Sequence, residues 1–190
     1  MPTVARLLTE VFAPAVPAAV LPVVIGIHAA GPVQGLAWGL LASTFCALIP
    51  YGMIAVGVRR GRLSDRHIGV REQRTRPLLL GLLSVSVGLT LLVLTAAPRE
   101  LVALIVASFA GGVVATGINH FWKSSIHTGV LAGSAVVLVL VFGPLLLVIA
   151  PVVAAVGWSR VRLRDHTPAQ VIVGAAIGAT VAGVVFSLLR

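Results

Sequence analysis

The chain has 190 residues, 58% of them hydrophobic and only 10% charged, with a formal charge of +9. A soluble domain carries about 25% charged residues, so a water-facing fold is excluded. The charge does not make a nucleic-acid partner either, because the arginines are confined to short loops between apolar runs. What remains is a single integral membrane domain, residues 1–190: an all-α polytopic helical bundle of about six or seven transmembrane helices, since one crossing takes roughly 20 apolar residues. The lone cysteine, Cys46, lies inside an apolar run and leaves no pair for an intramolecular disulfide.

The first uncharged run, Val11 to Val58, is long enough for two crossings, with a turn at Gly31-Pro32. Pro14, Pro17 and Pro22 make its first half irregular, and together with Glu10 they argue against a cleaved signal peptide. After a basic loop come Leu78–Ala97 and Leu101 to about Ile118, joined by Pro98-Arg99-Glu100. Thr128 to Trp158 is uncharged for 31 residues; Gly143-Pro144 near its middle divides it into two thin spans. The last run is Thr167–Leu189, ahead of Arg190. Within it Gly174 and Gly178 form a small-xxx-small step suited to close helix packing.

Counting crossings places Arg59–Arg76, His120–His127 and Arg160–His166 on one side of the membrane. With Arg6, that side holds twelve of the fourteen Lys and Arg residues, leaving Arg99 and Arg190 opposite. Setting aside five cations that chemistry could require (Arg71, Arg74, Arg76, Lys123 and Arg160) still leaves seven against two. By the positive-inside rule that face is cytoplasmic.

Three loops therefore converge on one face. They carry Arg71-Glu72-Gln73-Arg74-Thr75-Arg76-Pro77, then Trp122-Lys123-Ser124-Ser125-Ile126-His127, then Ser159-Arg160 followed by His166. The chemistry these residue types suggest is phosphoryl transfer. Its transition state concentrates charge on equatorial oxygens and asks for cationic forks, hydroxyl donors, a nucleophile and a proton donor. Arginine meets phosphate oxygens two at a time, and two histidines can divide nucleophile and acid between them. Taken singly, a basic loop residue reads more readily as a topology determinant or a headgroup contact. His28 and His67 read as ordinary membrane-edge histidines, and His120 as structural.

With these motifs in order, the chain resembles the type 2 phosphatidic acid phosphatase family, the metal-independent histidine phosphatases of membrane lipids, over roughly residues 71–187. The family's third motif is Ser-Arg, five residues, His, three residues, Asp; here Ser159-Arg160 is followed by His166 and then Gln170. Its second, Pro-Ser-Gly-His, is matched by Ser124-Ser125-Ile126-His127, and its first, Lys, six residues, Arg-Pro, by Arg76-Pro77. Lys123 before the Ser and His is similar to a bacterial branch of the family. The resemblance implies His166 as nucleophile, His127 as acid and then base, Arg160 and Arg76 as phosphate clamps, Ser125 and Lys123 as further donors, and Gln170 as the residue orienting His166. It implies no metal and no other cofactor. The partners it implies are a phosphorylated lipid substrate and the surrounding lipids of a bacterial plasma membrane.

Departures from the pattern are informative. The first-motif Lys falls at Gly69, so Arg71 or Arg74 has to substitute. Ser124 replaces a proline. Gln170 replaces the Asp that would stabilise an imidazolium, and it also reads as the end of a capping box, Thr167-Pro168-Ala169-Gln170. A glutamine used for capping is expected not to be aimed at His166. A catalytically silent lipid-binding scaffold is thus the alternative to an active phosphatase. A magnesium site is disfavoured by only two aspartates in separate loops, and zinc ligand spacing is missing. A transporter would need polar groups within its spans, where little stands beyond Ser43, Thr44, Ser84, Ser86, Ser108 and Thr116.

Overall fold

The computed structural model describes residues 2–190, and these fold as an all-α bundle. A short helix α1 (Pro2–Val11) breaks at Phe12–Pro14, where the chain bends by 40° into α2 (Ala15–Ala30). Gly31, with φ +76°, turns the chain, and Pro32 opens α3 (Pro32–Ser43), whose first N–H would lack a partner in any case. A single π turn, Thr44–Leu48, joins α3 to α4 (Ile49–Arg59) in one apolar stretch of 28 residues. Then follow α5 (Thr75–Leu94), α6 (Arg99–Phe121), α7 (Ile126–Phe142), α8 (Ala150–Arg162) and α9 (Pro168–Leu189).

The divided run behaves as its glycine and proline suggest. Gly143 takes φ +97°, ends α7 and feeds a 3₁₀ stretch, Pro144–Ile149, so the chain returns through α8; Pro144–Arg162 is long and apolar enough to cross a membrane, whereas α7 is a shorter apolar helix. Two arginines mark the far side. Arg99 Nε donates to the Leu189 carbonyl at 2.7 Å, and Arg190 Nη1 to the Leu140 carbonyl at 2.6 Å. These bonds tie the start of α6 and the ends of α7 and α9 to one level, opposite the three basic loops.

Helix contacts rely on small residues. A methyl group at Gly178 would strike the backbone of Gly129, and one at Gly174 would strike the backbone of Ser125, so α7 and α9 lie backbone to backbone; Gly26 and Gly35 bring α2 and α3 together likewise. Gly178→Ala is therefore expected to destabilise the protein by about 1–3 kcal/mol through overpacking. Gly111→Ala, where an added Cβ meets nothing within 4 Å, should not. Thermal unfolding in detergent compares the two; equal midpoints would refute the close approach.

The six span hydroxyls named above have backbone partners. Ser43 Oγ donates to the Ala19 and Gly39 carbonyls, and Ser84 Oγ reaches the Phe45 carbonyl, at 2.7 Å, within the π turn. Thr44, Ser86, Ser108 and Thr116 each donate to a carbonyl four residues back. The packed core is lopsided. Leu92, Leu101, Ile105, Val137 and Phe186 are fully buried near the far ends of their helices, whereas the half beneath the basic loops is opened by cavities.

Candidate active site

The first loop is held by Asp65. Its carboxylate accepts from the backbone N–H groups of His67 (2.8 Å) and Gly69 (2.9 Å) and from the Ser64 hydroxyl (2.9 Å). Partial burial opposes the charged form, but these donors prevail and hold the carboxyl below its usual range. The next turn puts Ile68 at φ +48°, a left-handed conformation that costs a β-branched residue about 1–3 kcal/mol. The strained peptide aims its carbonyl at Arg74, whose Nε donates to it at 2.8 Å. Arg74 Nη1 continues to the Ser124 carbonyl (3.1 Å) and Asn119 Oδ1 (3.3 Å), so one buried guanidinium staples the first loop to the second.

The three candidate arginines of the first motif thus separate. Arg74 is buried and lines the site. Arg71 lies at the rim, donating to the His120 and Phe121 carbonyls and paired with Glu72 at 3.5 Å. Arg76, aligned to the clamp position by its Arg-Pro step, is exposed on the first turn of α5 and makes no side-chain hydrogen bond or ion pair among the described residues. The motif alignment and the geometry therefore point to different arginines. Residues two apart on a helix start point about 200° apart, so with Arg74 facing the bundle Arg76 must face out.

In the second loop Ser124 and Ser125 are buried. Ser125 Oγ accepts from Thr128 N–H as the N-cap of α7, leaving its O–H free to donate. Lys123 Nζ donates to the Asp165 carbonyl at 2.7 Å, tying this loop to the third. Burial and the charge of Arg74 lower the Lys123 pKa. His127 is buried in the first turn of α7, and its Nε2 has no hydrogen-bond partner.

In the third loop Arg160 is the largest fully buried side chain. It pairs with Asp165 at 3.1 Å through Nη1, while its Nε has no hydrogen-bond partner. His166 sits at the mouth of α9, with Nδ1 3.1 Å from Gln170 Oε1. That same oxygen accepts from Thr167 N–H at 3.2 Å, and Gln170 N–H donates back to Thr167 Oγ1, completing the capping box. Capping and orientation were expected to exclude each other; one oxygen does both. The arrangement also sets the proton. Because Thr167 N–H can only donate, the atom it meets is the amide oxygen, and His166 Nδ1 must carry the hydrogen that this oxygen accepts. Nε2 is left with its lone pair.

Burial, then the charge of Arg74, with smaller contributions from Arg160 and Lys123, pushes the His166 pKa down to about 3 against the pull of the Gln170 bond. The imidazole is neutral at pH 7. Its unfolded counterpart titrates near 6.5, so the unfolded chain binds the extra proton between those values; this contribution to stability is complete above pH 6.5 and lost as pH falls toward 3. Thermal unfolding in detergent should show a lower midpoint at about pH 5 than at pH 7, with a smaller difference in His166→Gln. An unchanged difference would contradict the assignment.

His127, His166 and Arg74 line one cavity of about 600 Å³. Its polar end also holds Glu10, Arg66 and His67, none of which the motifs single out. Away from the loops it becomes apolar, passing Ala18, Cys46, Val85 and Val130. A second cavity of about 230 Å³ shares several of these residues, includes Ser125, and continues between the helices to Val137 and Ala182. Arg160 and Lys123 line neither cavity, although the charges of both act on His166.

The sequence pattern assigns no element to the residues before Val11, yet Pro2–Val11 form α1, which lies against α8. Ser159 Oγ donates to the Val156 carbonyl, so the buried bond between Thr9 and Ser159 (3.0 Å) is donated by Thr9. The available signal was helical phase: Ala5 and Thr9 are buried while Val4, Leu7 and Val11 face outward. Among the described residues no group of three or more His, Cys, Asp or Glu side chains is clustered as metal ligands. No family model, curated protein or solved structure matches the chain.

Proposed function

We propose that the protein is a metal-independent lipid phosphatase that hydrolyses a phosphomonoester or diphosphate of a membrane lipid through a phosphohistidine. The observation that carries this reading is the His166–Gln170–Thr167 arrangement, which presents an unprotonated Nε2 beside buried cations. The apolar extension of the cavity supports a lipid rather than a soluble ester. A phosphate held among the loops would place its hydrocarbon chain along Ala18, Val85 and Val130, where burial is favourable by about 0.8 kcal/mol per methylene.

In this mechanism His166 Nε2 attacks phosphorus and the ester oxygen leaves, its proton supplied by the His127 side of the cavity. Gln170 Oε1 keeps the hydrogen on Nδ1 and orients the ring as charge develops on it, though a neutral amide stabilises an imidazolium less than a carboxylate would. Arg74 and Arg160 contribute fixed positive charge, and Ser125 a hydroxyl donor. Water then attacks the phosphohistidine with His127 as base. We place the basic face in the cytoplasm of a bacterial cell on its twelve-to-two share of the cations.

The test is phosphate release in detergent with EDTA, from phosphatidic acid, phosphatidylglycerophosphate, polyprenyl phosphate and polyprenyl diphosphate. EDTA-resistant release with an acid-labile phosphoenzyme is the expected result. Loss of activity to EDTA would overturn the mechanism, and lipid binding without release would instead favour a scaffold.

A further inference from the structure

We propose that His67, held by Glu10, is the proton source of this site, passing a proton to the leaving oxygen through His127. The inference rests on the phosphatase reading and adds residues that none of its motifs contains.

Three pieces of the fold fix the position of His67. Asp65 grips the His67 backbone N–H at 2.8 Å, and the left-handed Ile68 turns the chain immediately after it. Strain of this kind persists where the surroundings impose it and tends to gather at functional sites. From 57 residues away, α1 delivers Glu10, whose Oε1 lies 3.0 Å from His67 Nε2. The His67 ring centroid is 5.1 Å from that of His127, and Glu10, His67, His127 and His166 line the same cavity.

The geometry assigns the protons. An ionised carboxylate only accepts, so His67 Nε2 carries the hydrogen that Glu10 holds, and the proton free to leave the protonated ring is the one on Nδ1. As the ester bond breaks, its electron pair goes to the leaving alkoxide, which takes a proton from one ring nitrogen of His127 while the other takes the Nδ1 proton of His67. Neutral His67 remains, still bonded to Glu10. Water returns the proton to Nδ1, since the His67 side chain is itself 23% exposed. The charged and titratable groups around the ring are Glu10 on α1, Arg66 and Asp65 on its own loop, Arg74 at the head of α5, His127 on α7 and His166 beyond. His127, with its unpartnered Nε2, is the one in ring contact with it. α1 therefore does more than cover the site: it carries the carboxylate that holds and stabilises the protonated His67.

Proton donation matters in proportion to the basicity of the leaving oxygen, and that gives the test. Initial rates are measured with decyl phosphate and with the same ester difluorinated at its second carbon, whose leaving alcohol is more acidic, for wild type, His67→Gln, Glu10→Gln and Glu10→Asp. A general acid contributes about 10²–10⁴-fold. We expect His67→Gln to lose about 10²-fold on decyl phosphate and at least tenfold less on the fluorinated ester, with KM little changed. Glu10→Gln should show the same asymmetry more weakly, and Glu10→Asp should recover part of it. The ratio of the two rates is internal to each preparation, so partial misfolding cancels. Equal losses on both esters, or none, would overturn the relay and leave His67 a loop residue. Wild type that hydrolyses neither ester overturns the relay together with the monoester phosphatase reading beneath it.

Discussion

Phosphate release is expected to fall by roughly 10⁴-fold or more when His166 is replaced by alanine, with the phosphoenzyme lost as well. The expectation follows from the proposed role of His166, whose Nδ1 is held by Gln170 and whose ring lines the cavity. A 10⁴-fold loss corresponds to about 5.5 kcal/mol of transition-state stabilisation, too much for a residue that merely lines a binding site. His127→Ala should cost about 10²–10⁴-fold as a missing acid and base, and it should slow both formation and breakdown of the phosphoenzyme. Because removal of His166 enlarges a cavity already open to the loops, free imidazole should restore part of the activity of His166→Ala. Retention of more than about a hundredth of wild-type release would show that His166 is not the nucleophile.

The second large effect concerns Arg74 and Arg76. Arg74→Ala should lower kcat/KM by roughly 10²–10³-fold, by analogy with the removal of other preorganised charge-stabilising groups. It should also lower the unfolding midpoint, because the Ile68 and Ser124 carbonyls and the Asn119 amide lose their donor; each buried group so stranded costs about 1–3 kcal/mol. Arg74→Lys should rescue only part of this, since an ammonium cannot reproduce the planar fork that reaches all three. Arg76→Ala should leave activity near wild type and change stability by less than about 0.5 kcal/mol, as is usual for exposed positions. Measuring the variants side by side decides between motif and geometry. A severe defect in Arg76→Ala with a mild one in Arg74→Ala would restore the Arg-Pro alignment and remove Arg74 from the site.

Much of the architecture was legible before any coordinates, because membrane insertion depends on local composition. An uncharged run of about 20 residues has few alternatives to a spanning helix, whose backbone bonds are all internal. The turns at Gly31 and Gly143 could be read for a similar reason: both adopt positive φ, which glycine tolerates and other residues resist. The shared face of His127, Arg160 and His166 followed from the parity of the crossings. Their residue types pointed to anion chemistry, and the spacing of His166 from Gln170 placed them one helical turn apart.

What the linear pattern could not hold was helical phase and distant partnership. Whether Arg74 or Arg76 enters the bundle turns on where α5 begins, and a shift of two residues reverses the direction of the side chain. Gln170 looked as though it had to choose between the helix cap and His166, until the geometry showed one oxygen accepting both hydrogens. Glu10 and His67 are unremarkable 57 residues apart; only the folded chain brings them within 3.0 Å. Hydropathy along the chain determined that this protein crosses a membrane and which loops share a side, because burial in lipid is decided segment by segment. The tertiary structure alone decided which polar groups meet beneath those loops, because hydrogen bonds and ion pairs are lost within an ångström or two of misplacement, far finer than any spacing in sequence records.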